Sequence, residues 1–115
     1  RIEAILKETR FVTPRPDELQ QQTSARQEDV NKVIRLLTEM GTLVKAAEDV
    51  YFHKDCVEEA KELVVKQIRE HGEVVSAAFR DQIGTTRKYI IPLLEHFDAI
   101  GLTVRDGNRR VLKKA

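Results

Sequence analysis

The residues best suited to bind a ligand stand at positions 85–88, where two hydroxyl side chains precede two cations. Arg87 and Lys88 directly follow Thr85 and Thr86. A lysine neutralises a phosphate, whereas a guanidinium can also stack on an unpaired base or donate a pair of hydrogen bonds to guanine. The chemistry that this cluster indicates is recognition of nucleic acid.

Catalytic and metal-binding chemistry finds little support in the sequence. Its histidines and its one cysteine are His53, His71, His96 and Cys56. They lack the i, i+4 spacing and the paired cysteines of a metal site. Ser76, His96 and Asp98 could compose a hydrolytic set, but nothing in the sequence orients them. We therefore expect no catalytic residue, no metal and no cofactor.

The composition is that of a folded, soluble protein, since 41% of the 115 residues are hydrophobic and 34% are charged. A formal net charge of +1 is too small for general adhesion to nucleic acid or membrane, so any binding must come from local clustering. The sequence has no apolar run long enough to span a membrane and no signal peptide. A single cysteine also suits a reducing compartment. These features predict a cytoplasmic protein, and the start at Arg1 within a helical pattern predicts a fragment of a longer one.

The sequence repeats its apolar pattern after 60 residues without a gap. Gly41 falls on Gly101, and the matched apolar pairs include Leu19 with Phe79, Val30 with Ile90, Leu37 with Phe97 and Val44 with Val104. A repeat of this length indicates two copies of one supersecondary unit. We therefore predict two domains, residues 1–53 and 54–115.

The second copy shows three helical segments followed by a hairpin. Apolar residues from Cys56 to Ile68 predict a first helix that ends before His71-Gly72, and a second helix runs from Val75 to Ile83. A third, capped by Thr85 or Thr86, extends to Ile100. Leu102–Val104 and Val111–Leu112 flank a turn at Asp106-Gly107-Asn108 and predict a two-stranded hairpin.

The first copy follows the same order. Helices are predicted at Ile2–Arg10, Pro16–Thr23 and Gln27–Met40, and a hairpin at Thr42–His53. Three helices and a hairpin compose a helix-turn-helix with a wing. The predicted fold class is thus mainly α with small β-hairpins (α+β), in two tandem winged-helix domains.

The two copies differ where the third helix begins. Glu28 and Asp29 in the first copy align with Lys88 and Tyr89 in the second, so carboxylates that repel phosphate replace a cation that attracts it. Residues 79–115 carry eight basic and four acidic side chains, whereas residues 55–78 carry three basic and six acidic. We interpret the start of the third helix and the wing as a basic patch, against the alternative of an ordinary solvated surface.

Residues 79–105 contain four motifs in this order: Phe79-Arg80-Asp81, then Gly84-Thr85-Thr86-Arg87-Lys88-Tyr89, then Pro92-Leu93-Leu94-Glu95, then Asp98 with Gly101. With these motifs the segment resembles the terminal winged-helix domain of the bacterial selenocysteine-specific elongation factor. The motifs cover about a quarter of the chain, and the tandem repeat extends the likeness to the remainder.

The resemblance implies an RNA-binding fragment that recognises an mRNA hairpin, a SECIS-type element, and so directs selenocysteine incorporation at UGA. The parent factor would be a GTPase that carries GTP and selenocysteinyl-tRNA and works on the ribosome. No Gly-x-x-x-x-Gly-Lys-Ser/Thr loop occurs here, so the fragment itself is expected to be a non-enzymatic binder. We also expect it to be a monomer. The family's contacts carry over onto Thr85, Thr86, Arg87, Lys88, Arg105, Arg109 and Arg110. The first copy would serve as a spacer.

Two other functions remain compatible with the pattern of elements. A DNA-binding transcriptional regulator shares the winged helix, but two basic copies or a dimerising helix would be usual, and the sequence shows neither. A tandem that binds only proteins would suit the acidic first copy and would leave the basic second copy unexplained.

Overall fold

The computed structural model describes residues 1–113, which form a mixed α and β fold with two small antiparallel sheets. The predicted α+β class is confirmed. The chain divides into two compact units, the first comprising Arg1–Val57 and the second beginning at Glu58. Lys114, counted above among the basic residues, lies outside the described residues. Within residues 1–113, no helix is both long and apolar enough to cross a membrane.

The first unit has three helices and a hairpin: α1 (Ile2–Glu8), α2 (Pro16–Thr23), α3 (Gln27–Glu39), β1 (Leu43–Ala47) and β2 (Val50–His53). One face of each helix and the start of β1 supply its core, which contains Ile2, Leu6, Leu19, Val30, Ile34 and Leu43. Pro16 starts α2 as predicted, since a fixed φ suits the first helical position. The first helix is shorter than predicted because Arg10 takes a positive φ of 52° after the cap at Thr9.

His53 is a buried structural residue at the end of β2, where the next helix, α4 (Lys54–His71), begins. Its Nδ1 accepts a hydrogen bond of 3.1 Å from the backbone N–H of Asp55. The proton must therefore sit on Nε2, which donates to Glu3 Oε2 at 2.9 Å. This hydrogen bond lowers the pKa of Glu3 and ties α1 to the start of α4.

The second unit follows the same order with one addition. After α4 come β3 (Val74–Val75), α5 (Ser76–Gln82), α6 (Arg87–Ala99), β4 (Thr103–Asp106) and β5 (Arg109–Leu112). The sheet has the order β3-β5-β4, with Val74 opposite Arg110 and Val75 opposite Arg109. The predicted hairpin is formed by β4 and β5, but a third strand that was not predicted, β3, pairs with β5. Val75 belongs to this strand rather than to the second helix. A two-residue strand is too short to show an alternating pattern.

Large apolar side chains fill the core of the second unit. Its buried residues include Val64, Ile68, Val74, Phe79, Ile90, Leu93, Leu94 and Phe97. They come from α4, β3, α5 and α6, so one face of each element packs inward, as the apolar spacing predicted. The same packing fixes the start of α6 and the wing, which we define as β4, β5 and the turn between them.

The turn between α5 and α6 places Gly84 at φ +70°, and the equivalent residue of the first unit, Ser24, has φ +57°. A Cβ on Gly84 would meet nothing within 4 Å, so only backbone strain opposes a side chain there. We expect Gly84→Ala to lower the free energy of unfolding by about 1–2 kcal/mol, since that is the cost of a left-handed L-residue. Ser24→Gly is the matched control and should not destabilise the protein. Thermal unfolding of both variants checks the pair, and an unchanged Tm for Gly84→Ala would contradict it.

Candidate nucleic-acid interface

The start of α6 presents the four residues on which the nucleic-acid prediction was based. Thr86 occupies the N-cap position in an extended conformation, but its side chain makes no capping hydrogen bond. Thr85 is half-buried, and its N–H donates to the carbonyl of Arg80 at 3.1 Å. Arg87 and Lys88 are exposed, and Lys88 Nζ lies 5.2 Å from the centroid of the Tyr89 ring. The positive end of the helix thus carries two solvent-facing cations.

A cavity of about 380 Å³ lies between α5, the first turns of α6 and the wing. It is lined by Ser76, Ala77, Arg80, Arg87, Ile90, Ile91, Arg105, Asn108 and Arg110. We call it the arginine pocket. Four of these side chains are cationic, and none of the nine is acidic. Its walls combine apolar surface, which a base face can contact, with guanidinium groups that attract phosphate.

The four arginines of the pocket are not equally available to a ligand. Arg87 is exposed, whereas Arg80 is half-buried with its Nε 3.1 Å from Asp81 Oδ1. Arg105 is exposed, and its Nε donates to the carbonyl of Gly107 at 2.8 Å. That bond holds the side chain along the wing. Arg87, Arg105 and Arg80 are therefore the cations that a bound phosphate can reach.

Arg110 differs from the other three because its side chain is only 4% exposed. Nη2 lies 3.1 Å from Asp98 Oδ2, and Nη1 donates to Ser76 Oγ at 3.2 Å. Asp98 accepts a second hydrogen bond, of 2.6 Å, from the hydroxyl of Thr103. The guanidinium of Arg110 thus lines the pocket and is at the same time part of a polar network.

Arg109 points away from the arginine pocket and pairs with two carboxylates. Its Nη2 donates to Asp106 Oδ2 and its Nη1 to Glu73 Oε1, both at 2.8 Å. These hydrogen bonds, that of Asp106 above that of Glu73, raise the pKa of Arg109. Its charge is largely offset by one carboxylate of the wing and by Glu73, which precedes β3.

The structure places only some of the binding residues predicted from the sequence in the arginine pocket. Arg87, Arg105 and Arg110 line one pocket, while Thr85, Thr86, Lys88 and Arg109 lie outside its lining. Sequence reasoning missed Arg80, Ser76 and Asn108 as pocket residues. Arg80 stood in the family motif, and its place one helix before Arg87 was the available signal.

The first unit has a cavity at the equivalent place but with the opposite charge. Its volume is about 580 Å³, and it is lined by Arg15, Pro16, Asp17, Gln27, Asn31, Glu48, Asp49 and Tyr51. Gln27 replaces Arg87 of the second unit, and Glu48 replaces Asn108. Its one cation, Arg15, is held by Asp17 at 3.3 Å and by Glu18 at 3.4 Å. One fold therefore carries a cationic pocket in one copy and an acidic pocket in the other.

Comparisons with known proteins agree on one family. Residues 66–112 match the model of the winged helix of elongation factor SelB. The selenocysteine-specific elongation factor of Desulfomicrobium baculatum is 36% identical over 86 residues, which are 75% of this chain and 14% of that protein. That of Escherichia coli (strain K12) is 31% identical over 98 residues, 85% of this chain and 16% of that protein. The chain thus spans about one seventh of these relatives.

Solved structures give the same result. The mRNA-binding domain of elongation factor SelB from E. coli, determined in complex with SECIS RNA, superposes with a TM-score of 0.80 at 29% identity, covering 88% of this chain and 84% of that one. The bacterial selenocysteine-specific elongation factor EF-Sec gives a TM-score of 0.63 at 26% identity, covering 73% of this chain and 14% of that one. The likeness spans both units rather than the motif region alone.

Proposed function

This chain belongs to the C-terminal winged-helix domains of the selenocysteine-specific elongation factors, and from that premise we propose that its second unit binds an mRNA hairpin of the SECIS type. The observation that carries the proposal is the arginine pocket, whose equivalent in the first unit is acidic. Since both units share one fold, the difference in charge supports RNA binding by the second unit and a spacer role for the first.

The residues in and around the pocket would contact different parts of the RNA. Arg87 stands at the positive end of α6, where a phosphate is attracted by the helix and by the guanidinium. An unpaired base of a hairpin loop or bulge contacts Ile91 and Ala77 with its face. Arg105, on the wing, contacts the phosphate backbone of the RNA. Lys88 adds attraction for a neighbouring phosphate from outside the pocket.

We infer the role of the chain in the cell from that of its family. The parent factor carries GTP and selenocysteinyl-tRNA in other domains and works on the ribosome in the cytoplasm. This segment contributes binding rather than catalysis: as a monomer it holds the factor on a message in which UGA is read as selenocysteine. The acidic pocket of the first unit keeps that copy from competing for RNA.

Binding to three nucleic acids of similar length tests the proposal. One is an RNA hairpin with a bulged base and a guanine in its loop, the second a fully paired RNA, and the third a DNA duplex. We expect the hairpin to bind at least about tenfold more tightly than the others, because only its unstacked bases can enter the pocket. Equal affinity for all three would contradict the proposal, and preference for the DNA duplex would instead favour a transcriptional regulator.

A further inference from the structure

We propose that Asp98 and Arg110 are positioning residues, which set the wing for RNA binding without touching the RNA. The inference rests on the proposed function of the second unit. Together with Ser76 and Thr103 they form a polar network, which we call the wing clamp. It joins the end of α6, the start of α5 and both strands of the wing.

The clamp reaches the tip of the wing through Ser76. The carbonyl oxygen of Asn108 accepts two hydrogen bonds from that residue, one from the N–H and one from the hydroxyl, each 3.1 Å long. The same hydroxyl accepts a hydrogen bond from Arg110 Nη1. Because Asn108 and Arg110 both line the arginine pocket, the clamp fixes one wall of the pocket relative to the start of α5.

Asp98 also relieves a repulsion within the wing. Arg110 stands directly opposite Arg105 in the β4-β5 ladder, and like charges in such a pair destabilise it. The carboxylate of Asp98, 3.1 Å from Arg110 Nη2, offsets one of the two charges. Arg105 is thereby kept at the pocket rather than pushed away from it.

The first unit shows that the fold does not need this network. The positions equivalent to Ser76, Asp98, Thr103 and Arg110 are Pro16, Thr38, Leu43 and Val50. Leu43 and Val50 are buried at 2% and 5% exposure, so ordinary apolar packing holds the wing there. A buried ion pair is often no more stabilising than apolar residues of similar volume. The four polar residues occur in the copy with the arginine pocket, which indicates that they serve binding.

Asp98→Asn separates positioning from direct contact, because the two roles predict opposite signs. If Arg110 contacted RNA, releasing it from a carboxylate would strengthen binding. If the clamp positions the wing, loss of the ion pair weakens binding by about 3- to 10-fold even though the net charge becomes more positive. The probe is the same bulged RNA hairpin, measured where thermal unfolding shows the variant folded. Asp106→Asn, at an exposed wing residue outside the clamp, is the control and should bind as the unchanged chain does or more tightly.

A second variant gives the second unit the packing of the first: Asp98→Thr, Thr103→Leu and Arg110→Val together. We expect it to fold with an undiminished Tm and to bind the hairpin about tenfold more weakly. Hairpin affinity equal to or greater than that of the unchanged chain, in Asp98→Asn or in a folded triple variant, would overturn the positioning role. If the unchanged chain itself failed to bind the hairpin, the proposed function would fall first.

Discussion

Replacing Arg87 by alanine is expected to weaken binding of the bulged RNA hairpin by about 1–3 kcal/mol. Arg87 is an exposed cation of the arginine pocket at the first position of α6, so its loss removes a phosphate contact and the stacking surface of its guanidinium. The plot of the logarithm of the binding constant against the logarithm of the salt concentration should also become less steep. Its slope should shrink in magnitude by about 0.7–0.9, the contribution of one phosphate contact. Fluorescence anisotropy over a salt series measures both quantities.

Gln27→Ala is the matched control, because Gln27 is the residue equivalent to Arg87 in the first unit. It should leave hairpin affinity and salt slope unchanged. Should the two substitutions have equal effects, the assignment of RNA binding to the second unit alone would be wrong. An unchanged affinity in Arg87→Ala with strong binding retained would place the site elsewhere.

Phe79→Ala should destabilise the second unit by about 3–5 kcal/mol, the cost of removing a buried aromatic ring. Phe79 is fully buried on α5, and the cavity left behind lies at the centre of the unit's core. A unit of this size has a total stability of only about 3–9 kcal/mol. We therefore expect the second unit to be partly unfolded at 37 °C and to lose RNA binding for that reason, whereas Arg87→Ala loses it while folded.

Ile100→Ala is the control for this loss of stability, because Ile100 is also a large apolar residue of the second unit but is 52% exposed. Its substitution should change the free energy of unfolding by less than about 1 kcal/mol. Urea unfolding followed by amide NMR signals of the second unit measures both variants. A loss below about 1 kcal/mol in Phe79→Ala would show that the core is not organised around that ring.

The helices could be predicted from the sequence because their apolar residues recur with the helical period and their ends carry clear signals. Pro16 opens α2, and glycine follows α4, α5 and α6 closely. Each is a local effect, in which a residue acts on its own backbone or on a neighbour one turn away. Local effects of this kind can be predicted from a single sequence.

Strand β3 could not be predicted in this way, because it is made by a distant partner. Val74 and Val75 become a strand only through pairing with Arg110 and Arg109. Two residues show no alternation of their own. The addition matters for function, since β3 leads directly into Ser76, which holds the tip of the wing.

The buried position of Arg110 could not be predicted either, because an arginine is expected to be exposed. Two adjacent arginines in a wing predict a solvated cationic surface, yet successive residues of a strand face opposite sides, and only one of them can point outward. Arg109 is exposed and Arg110 is buried. The 60-residue repeat held the missing signal, because it aligns Arg110 with Val50, a buried apolar residue of the first unit.

The pocket combines residues from α5, α6 and the wing, so its composition depended on the tertiary fold. The sequence indicated Arg87 and Arg105 through motif and charge, and Arg80 stood in the same motif. That Arg80 lines the pocket and Lys88 does not depends on how α5 and α6 pack. Nor could the sequence show that the first unit retains the cavity with carboxylates in its wall. The opposite charge of the two pockets is the main support for an RNA site in the second unit.

The most direct test of that site is an NMR titration of the isotope-labelled chain with the bulged RNA hairpin. We expect amide shifts to change at the start of α6, around Arg87 and Lys88, and along the wing from Arg105 to Asn108. Signals around Gln27 and Glu48 in the first unit should stay in place. Shifts centred on the acidic pocket of the first unit, or spread evenly over both units, would contradict the account.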